Sequence, residues 1–216
     1  MLLTGFEPYG GRGTNPATRI AEALDGEVIA GTRVRSALLP VDYPRMSDEI
    51  DRLLRETAPV AVISLGLWPG EPVIRLERFG LNFNDFEIPD NAGIVESGSI
   101  EPGGPDARAA TLPLDTIWQR LLSAGIPARF SSSAGNFLCN ALLYKTLGIL
   151  ERNGSRARCG FIHVPYLPEQ VAEVIATTRA ERTLELHQRA DLASMALDTM
   201  VAALRIAIEA TLEAAR

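Results

Sequence analysis

Short runs of β-branched and apolar residues alternate with stretches of helical period from one end of the chain to the other, and this alternation restricts the fold more than any other feature. Met1-Leu2-Leu3-Thr4 reads as a strand, the glycine-rich segment 5–13 as a loop, and Asn15 to Leu24 as a helix. The strand pattern returns at Val34 to Leu39, Val60 to Leu65, Ala128 to Ser132 and Gly160 to Val164. The helical pattern returns at Pro44 to Thr57, Leu114 to Ser123, Asn136 to Glu151 and, as a long amphipathic C-terminal helix, Asp191 to Ala215. In a chain of 216 residues this order predicts one α/β domain over 1–216. The expected form is a three-layer α/β/α sandwich: a twisted, mostly parallel central sheet with helices on both faces and ligands at the carboxyl ends of its strands. Met195, Leu197, Met200, Leu204 and Ile208 form the face expected to pack on that sheet.

Two stretches are less regular. Ile74 to Asn82 alternates apolar and polar residues like a half-exposed strand, and Pro89-Asp90-Asn91-Ala92-Gly93 is turn chemistry. Ile94 to Pro105, rich in Gly, Ser and Pro, reads either as a mobile surface loop acting as a lid or as a solvated connector.

Composition excludes several classes of function. A net charge of −6, with arginines scattered among acids, leaves no basic stripe for nucleic acid or an anionic membrane. The longest apolar stretch, Val60 to Trp68, falls well short of the ~20 residues a membrane-spanning helix needs. The start of the chain lacks the basic and apolar regions of a secretion signal. With only two cysteines, Cys139 and Cys159, a disulfide framework is not expected, and a reducing cytoplasm fits best.

Two cysteines and two histidines, His163 and His187, allow four thiol–imidazole pairings. Cys159 and His163 share one strand about 13 Å apart, beyond hydrogen-bond reach, so Cys159 reads as core. Cys139 follows a strand and a small-residue turn, with Asn136 as the expected helix N-cap. In a first helical turn the free amides and the dipole favour a thiolate and would hold an oxyanion. The alternative is a cysteine that merely packs the helix base. His163 closes a strand expected to end at the same sheet edge as the turn before Cys139, and Glu77 is the candidate for orienting its ring. Glu77 also reads as an exposed carboxylate flanked by arginines.

Four segments resemble the pyroglutamyl peptidase I family, also called pyrrolidone-carboxylate peptidases. They are Leu3-Thr4-Gly5-Phe6-Glu7-Pro8-Tyr9-Gly10-Gly11 with Asn15-Pro16, Glu77-Arg78 with Ile88-Pro89-Asp90-Asn91, Ala134-Gly135-Asn136-Phe137-Leu138-Cys139-Asn140, and Gly160 through Gln170. The resemblance implies a thiol peptidase that removes N-terminal pyroglutamyl (5-oxoproline) residues from peptides, with Glu77, Cys139 and His163 as its triad and no metal or cofactor. It also implies a ring pocket built from Phe6, Tyr9, Phe137 and Leu138, with Asn15 and Leu67 beside it, and a homo-oligomer, tetramer or dimer. An apolar cavity of that kind accepts a neutral lactam and penalises a charged prolyl amine.

The sequence departs from the family at Leu67, where some members carry Gln, and at Glu87, where many carry Arg. A glutamate there opposes a thiolate and a developing oxyanion unless it points away. Two rivals follow: a phosphate-using, nucleoside-phosphorylase-like enzyme built on the glycine-rich loop, and a catalytically degenerate binding module of the same fold. The loop 5–13 lacks both standard phosphate-binding spacings. Asp85, Glu87 and Asp90 read as solvated turn carboxylates, and no metal is assigned to them.

Overall fold

The computed structural model describes residues 1–11, 13–181 and 192–216. In chain order the elements are β1 (Leu2–Phe6), α1 (Pro16–Leu24), β2 (Val28–Ile29), β3 (Thr32–Arg33), β4 (Arg35–Leu39), α2 (Tyr43–Thr57), β5 (Ala61–Leu67), β6 (Ile74–Glu77), β7 (Phe79–Leu81) and β8 (Asn84–Asp85). They continue with β9 (Ser97–Gly98), β10 (Ala107–Ala109), α3 (Leu114–Ser123), β11 (Ala128–Ser131), α4 (Leu138–Arg152), β12 (Arg158–Val164), α5 (Pro168–Glu181) and α6 (Leu197–Ala214).

Six strands form the central sheet in the order β11-β6-β12-β5-β1-β4. The pairs β12/β5, β5/β1 and β1/β4 are parallel, β6 runs antiparallel to β12, and β11 is parallel to β6. The sheet is therefore mostly parallel, as expected, but it reverses direction at the β12/β6 boundary. All seven residues of β5 are buried, which is why this strand reads as a continuous apolar run.

Strand alternation divides the core into two layers. Leu3, Ile63, Leu65, Ile162 and Val164 pack with Ile20 and Leu24 of α1, Ile117 and Leu121 of α3, and Met200, Leu204 and Ile208 of α6. Leu2, Phe6, Val62, Cys159 and Phe161 pack with Met46 and Ile50 of α2 and Ala141 and Leu142 of α4. This is the α/β/α sandwich, and Cys159 is core.

Several boundaries move. The expected strand Ile74 to Asn82 divides into β6 and β7, and β6 is buried at all four positions because it lies between β11 and β12. The segment 94–105 contains β9, which pairs with β8, and is pinned where Asn82 donates to the Glu101 carbonyl at 2.8 Å. The C-terminal helix begins at Leu197, and Met195, although buried, precedes it. Asp191, its expected start, and His187 lie outside the described residues. Helix α5 was not expected from the sequence.

Candidate active site

Alternation also decides which polar side chains share a face. Arg75 and Glu77 on β6 and His163 on β12 project on the α4 side, opposite Leu76 and Ile162. Glu77 and His163 are both sealed from solvent, and Glu77 Oε1 lies 2.8 Å from His163 Nδ1. A carboxylate only accepts hydrogen bonds, so this contact places the ring proton on Nδ1 and the lone pair on Nε2.

Arg75 completes the ion cluster. Its Nε donates to the same Glu77 oxygen at 2.7 Å, and its Nη2 donates to the Ser133 carbonyl at 2.8 Å. The guanidinium lies 3.6 Å from the Trp68 ring centroid, and Trp68 in turn meets His163 edge-on at 5.0 Å. Beyond Arg75, the buried Glu71 carboxylate approaches its Nη1 at 3.5 Å and takes a two-pronged pair from Arg129 at 2.9 and 2.6 Å.

Cys139 is the second residue of α4, as expected for the first turn, but the cap differs. Phe137, in extended geometry, precedes the helix without a side-chain cap, and Asn136 turns its amide toward Glu87 Oε1 at 3.3 Å. The helix start is fixed instead by the fully buried Asn140, which accepts from the Leu81 amide at 2.7 Å and donates to the Leu81 and Phe83 carbonyls at 2.9 and 3.0 Å. The expected shared edge also needs correcting: β11 runs opposite to β12, so the two strand ends do not coincide. A compact turn after Ser131 returns the chain, with Ser133 Oγ bonded to the Gly135 amide at 3.1 Å and Gly135 at φ +90°.

That turn lays the thiol over Gly66. A Cβ at Gly66 would stand 2.9 Å from Cys139 Sγ, and Gly66 is register-paired with His163 on the neighbouring parallel strand. Paired residues of adjacent strands project to the same face about 4.8 Å apart. The structure thus brings Cys139, His163 and Glu77 together.

The helix-start preference for a thiolate is opposed at this sulfur, which is partly exposed on the cavity. Burial, with the Glu77 charge added, pushes the Cys139 thiol up to about 12, outweighing the helix-start amide that favours the thiolate. Burial also holds the His163 imidazole below its ordinary value, although Glu77 pulls the other way. Both shifts favour a neutral thiol beside a neutral imidazole.

A cavity of about 250 Å³ opens on the pair, walled by Tyr9, Leu67, Trp68, Phe137, His163 and Glu87 among others. A cleft of about 20 Å³ adjoins it, lined by Phe6, Asn15, Leu138 and again Tyr9, Leu67, Phe137 and Cys139. Tyr9, Leu67 and Phe137 therefore face both spaces, while Phe6, Asn15 and Leu138 are buried behind them. Asn15 caps α1 through the Ala17 amide at 3.0 Å and donates to the Glu7 carbonyl at 3.2 Å, so it anchors the loop. Glu87 does not point away: it stands exposed on the cavity wall. Asp90 is buried rather than solvated, accepting from the Tyr43, Ala92 and Ile94 amides at 2.8 to 2.9 Å.

Gly66, Trp68, Arg75 and Asn140 are the residues that sequence reasoning left without a role. The signal for Arg75 was its even spacing from Glu77, which places both on one strand face. The signal for Asn140 was a polar side chain beside a candidate nucleophile on an otherwise apolar helix.

A thiol and an imidazole facing one cavity, with a buried carboxylate behind the imidazole, in an α/β sandwich are the layout of a thiol-dependent acyl-transfer enzyme. The family model described as pyroglutamyl peptidase matches residues 1–214. The pyrrolidone-carboxylate peptidase of Chromobacterium violaceum is 43% identical over 213 residues, 98% of this chain and 92% of that one. That of Pyrococcus furiosus is 39% identical over 214 residues, 99% and 98% of the two chains. The solved structure of the Pyrococcus furiosus pyrrolidone carboxyl peptidase superposes with a TM-score of 0.92 at 38% identity, covering 100% of this chain and 99% of the other. The chain belongs to the pyroglutamyl peptidase family.

Proposed function

We propose that this enzyme hydrolyses the bond after an N-terminal pyroglutamyl residue through a thioester on Cys139. The observation that carries the reading is the 2.8 Å contact between buried Glu77 and His163 Nδ1, which leaves Nε2 as a base beside the thiol. His163 takes the Cys139 proton as sulfur attacks the pyroglutamyl carbonyl, then gives it to the departing amine. Water next attacks the thioester, His163 again accepting a proton, and the thiol and free 5-oxoproline result. Starting from a neutral pair, proton transfer accompanies attack. The amides of Cys139 and the preceding turn receive the oxyanion, a contribution of about 3 kcal/mol per donor.

Tyr9, Leu67 and Phe137 form the apolar wall for the lactam ring, with Phe6 and Leu138 behind them and Asn15 holding the loop. The small cleft holds about one water as it stands, so the ring enters as Tyr9 and Phe137, whose centroids are 6.1 Å apart, separate. Two free cysteines support a reducing, cytoplasmic setting. Exposed Phe83, Ile88 and Val95 support self-association as a dimer or tetramer. Turnover of an L-pyroglutamyl chromogenic amide, abolished in Cys139→Ala and independent of added phosphate, is the expected result; turnover that survives Cys139→Ala rejects the assignment.

A further inference from the structure

Arg75 has geometry beyond what a buried counter-ion needs. Three of its contacts lead to three different parts of the site: the carboxylate that orients His163, the Ser133 carbonyl in the turn that delivers Cys139, and the Trp68 ring on the cavity wall. We propose that Arg75 is a positioning residue, one guanidinium that holds base, nucleophile turn and pocket wall in register. This builds on the thiol–imidazole reading above.

The chemistry fits a guanidinium specifically. A fork of donors reaches two acceptors in different directions while its flat face stacks on an indole, and an ammonium does none of these together. The arrangement is itself held in place: Glu71, gripped by Arg129, backs the guanidinium from the far side, so Arg75 has little freedom to swing out. Glu77 depends on it. Its second oxygen, Oε2, is buried without a hydrogen-bond partner among the described residues, so Oε1, shared by Arg75 and His163, carries the stabilisation of the whole carboxylate.

The charges and titratable groups around His163 are Glu77 and Arg75 from β6, Glu71 from the β5–β6 connection and the Cys139 thiol from α4. Removing the cation raises the proton affinity of His163, since Arg75 opposes imidazole protonation. The acid limb of the rate profile then moves to higher pH. A merely structural arginine would lower the rate or the melting temperature without moving that limb.

The test compares Arg75→Gln and Arg75→Lys with the unaltered enzyme, first confirming the fold of each by circular dichroism. Two profiles are recorded: kcat and KM on the pyroglutamyl amide against pH, and the rate of Cys139 alkylation by iodoacetamide against pH, read by peptide mass. The second needs no turnover, so it reports on Arg75 even if the substrate assignment fails. In Arg75→Gln we expect kcat to fall about 10²-fold with KM within about threefold, and both acid limbs to rise by about one pH unit. In Arg75→Lys the limbs stay near the original while kcat remains reduced, because the charge persists and the fork does not. Limbs that move in neither variant, or equally in both, overturn the proposal.

Discussion

Glu77 and His163 meet at 2.8 Å across two antiparallel strands with no solvent access to either, and the oxygen involved is the one that Arg75 also grips. An amide would keep its oxygen at this position, because Arg75 donates to it, so the informative replacement is one that removes the acceptor. With a methyl in its place Nδ1 loses that acceptor, so the ring proton sits on either nitrogen, the ring turns, and the base is no longer held at the thiol. Glu77→Ala should lower kcat by roughly 10³-fold with little change in KM. Steady-state kinetics on the chromogenic amide decide it, and a loss below tenfold would show that Glu77 does not orient the ring.

Gly66 leaves the space that the sulfur occupies. An alanine methyl would stand 2.9 Å from both Cys139 Sγ and the Phe161 ring, which is itself completely buried between β5 and α4. At Gly66 the strand is held by its pairing with His163 of β12, and β1 pairs it just upstream at Val62 to Ser64, so it has little room to retreat. Gly66→Ala should cost about 1–3 kcal/mol from overpacking and displace the thiol enough to reduce kcat/KM by about 10². Thermal unfolding and kinetics on the same sample separate the two losses; a stable, fully active variant contradicts this placement of the thiol.

How much of this was legible beforehand depends on which interactions are local. The layered α/β fold followed from alternation alone, and β5 announced its burial by carrying no charge over seven residues. Cys139 and His163 stood out because each type occurs only twice. Glu77 is ambiguous in sequence: between two arginines it resembles a solvated strand carboxylate, and its burial depends on Arg75 turning in to it and on His163, 86 residues away. Arg75 was hidden for the same reason. The reversed direction of β6 and β11 is a property of chain path, invisible to periodicity. For the thiol, the helix start is visible in the sequence, whereas the desolvation and the nearby carboxylate that oppose a thiolate are not. Asn136 looked like a cap by residue type, but its amide reaches Glu87 instead.

The depressed imidazole sets the acid side of the pH profile. His163 is held below its ordinary value by burial, so it remains a free base as the solution falls past pH ~6.5. Activity should therefore persist below pH 6.5, with the acid limb of kcat/KM under that value. Stability moves the other way. The unfolded chain takes up the proton that the folded site refuses, so the contribution present above pH ~6.5 is lost as pH falls toward the folded value. Rate profiles and urea unfolding between pH 5 and 7.5 test both signs, and an acid limb above ~6.5 refutes the assignment.

On the alkaline side the buried thiols act. Cys159, packed beneath α4, is pushed up to about 12 by desolvation alone. Folded, it keeps its proton where the unfolded chain, with an ordinary thiol near ~8.5, has lost it. Its contribution is complete below that value and declines as pH rises toward 12. Between about pH 9 and 10.5 the enzyme should lose about 1 kcal/mol per pH unit more than Cys159→Ala. Parallel denaturation curves across that range would expose the prediction as wrong.

Glu87 stands exposed on the wall of the cavity that Cys139 and His163 share, held by Asn136 at 3.3 Å. In the proposed pose the lactam lies against Tyr9, Leu67 and Phe137, and the departing residue extends toward solvent past this carboxylate. An exposed charge there contributes at most about 1 kcal/mol, screened by salt, which limits the expected preference to a few-fold. Peptides with Lys or Arg after the pyroglutamyl group should show KM values about two- to fivefold lower than those with Glu. Glu87→Gln should level the series and, by removing a negative charge from near the developing oxyanion, raise kcat on neutral substrates. Measuring the series in low and high salt provides the control, since an electrostatic preference weakens as salt rises. A preference that survives both Glu87→Gln and high salt would place the discrimination elsewhere on the wall.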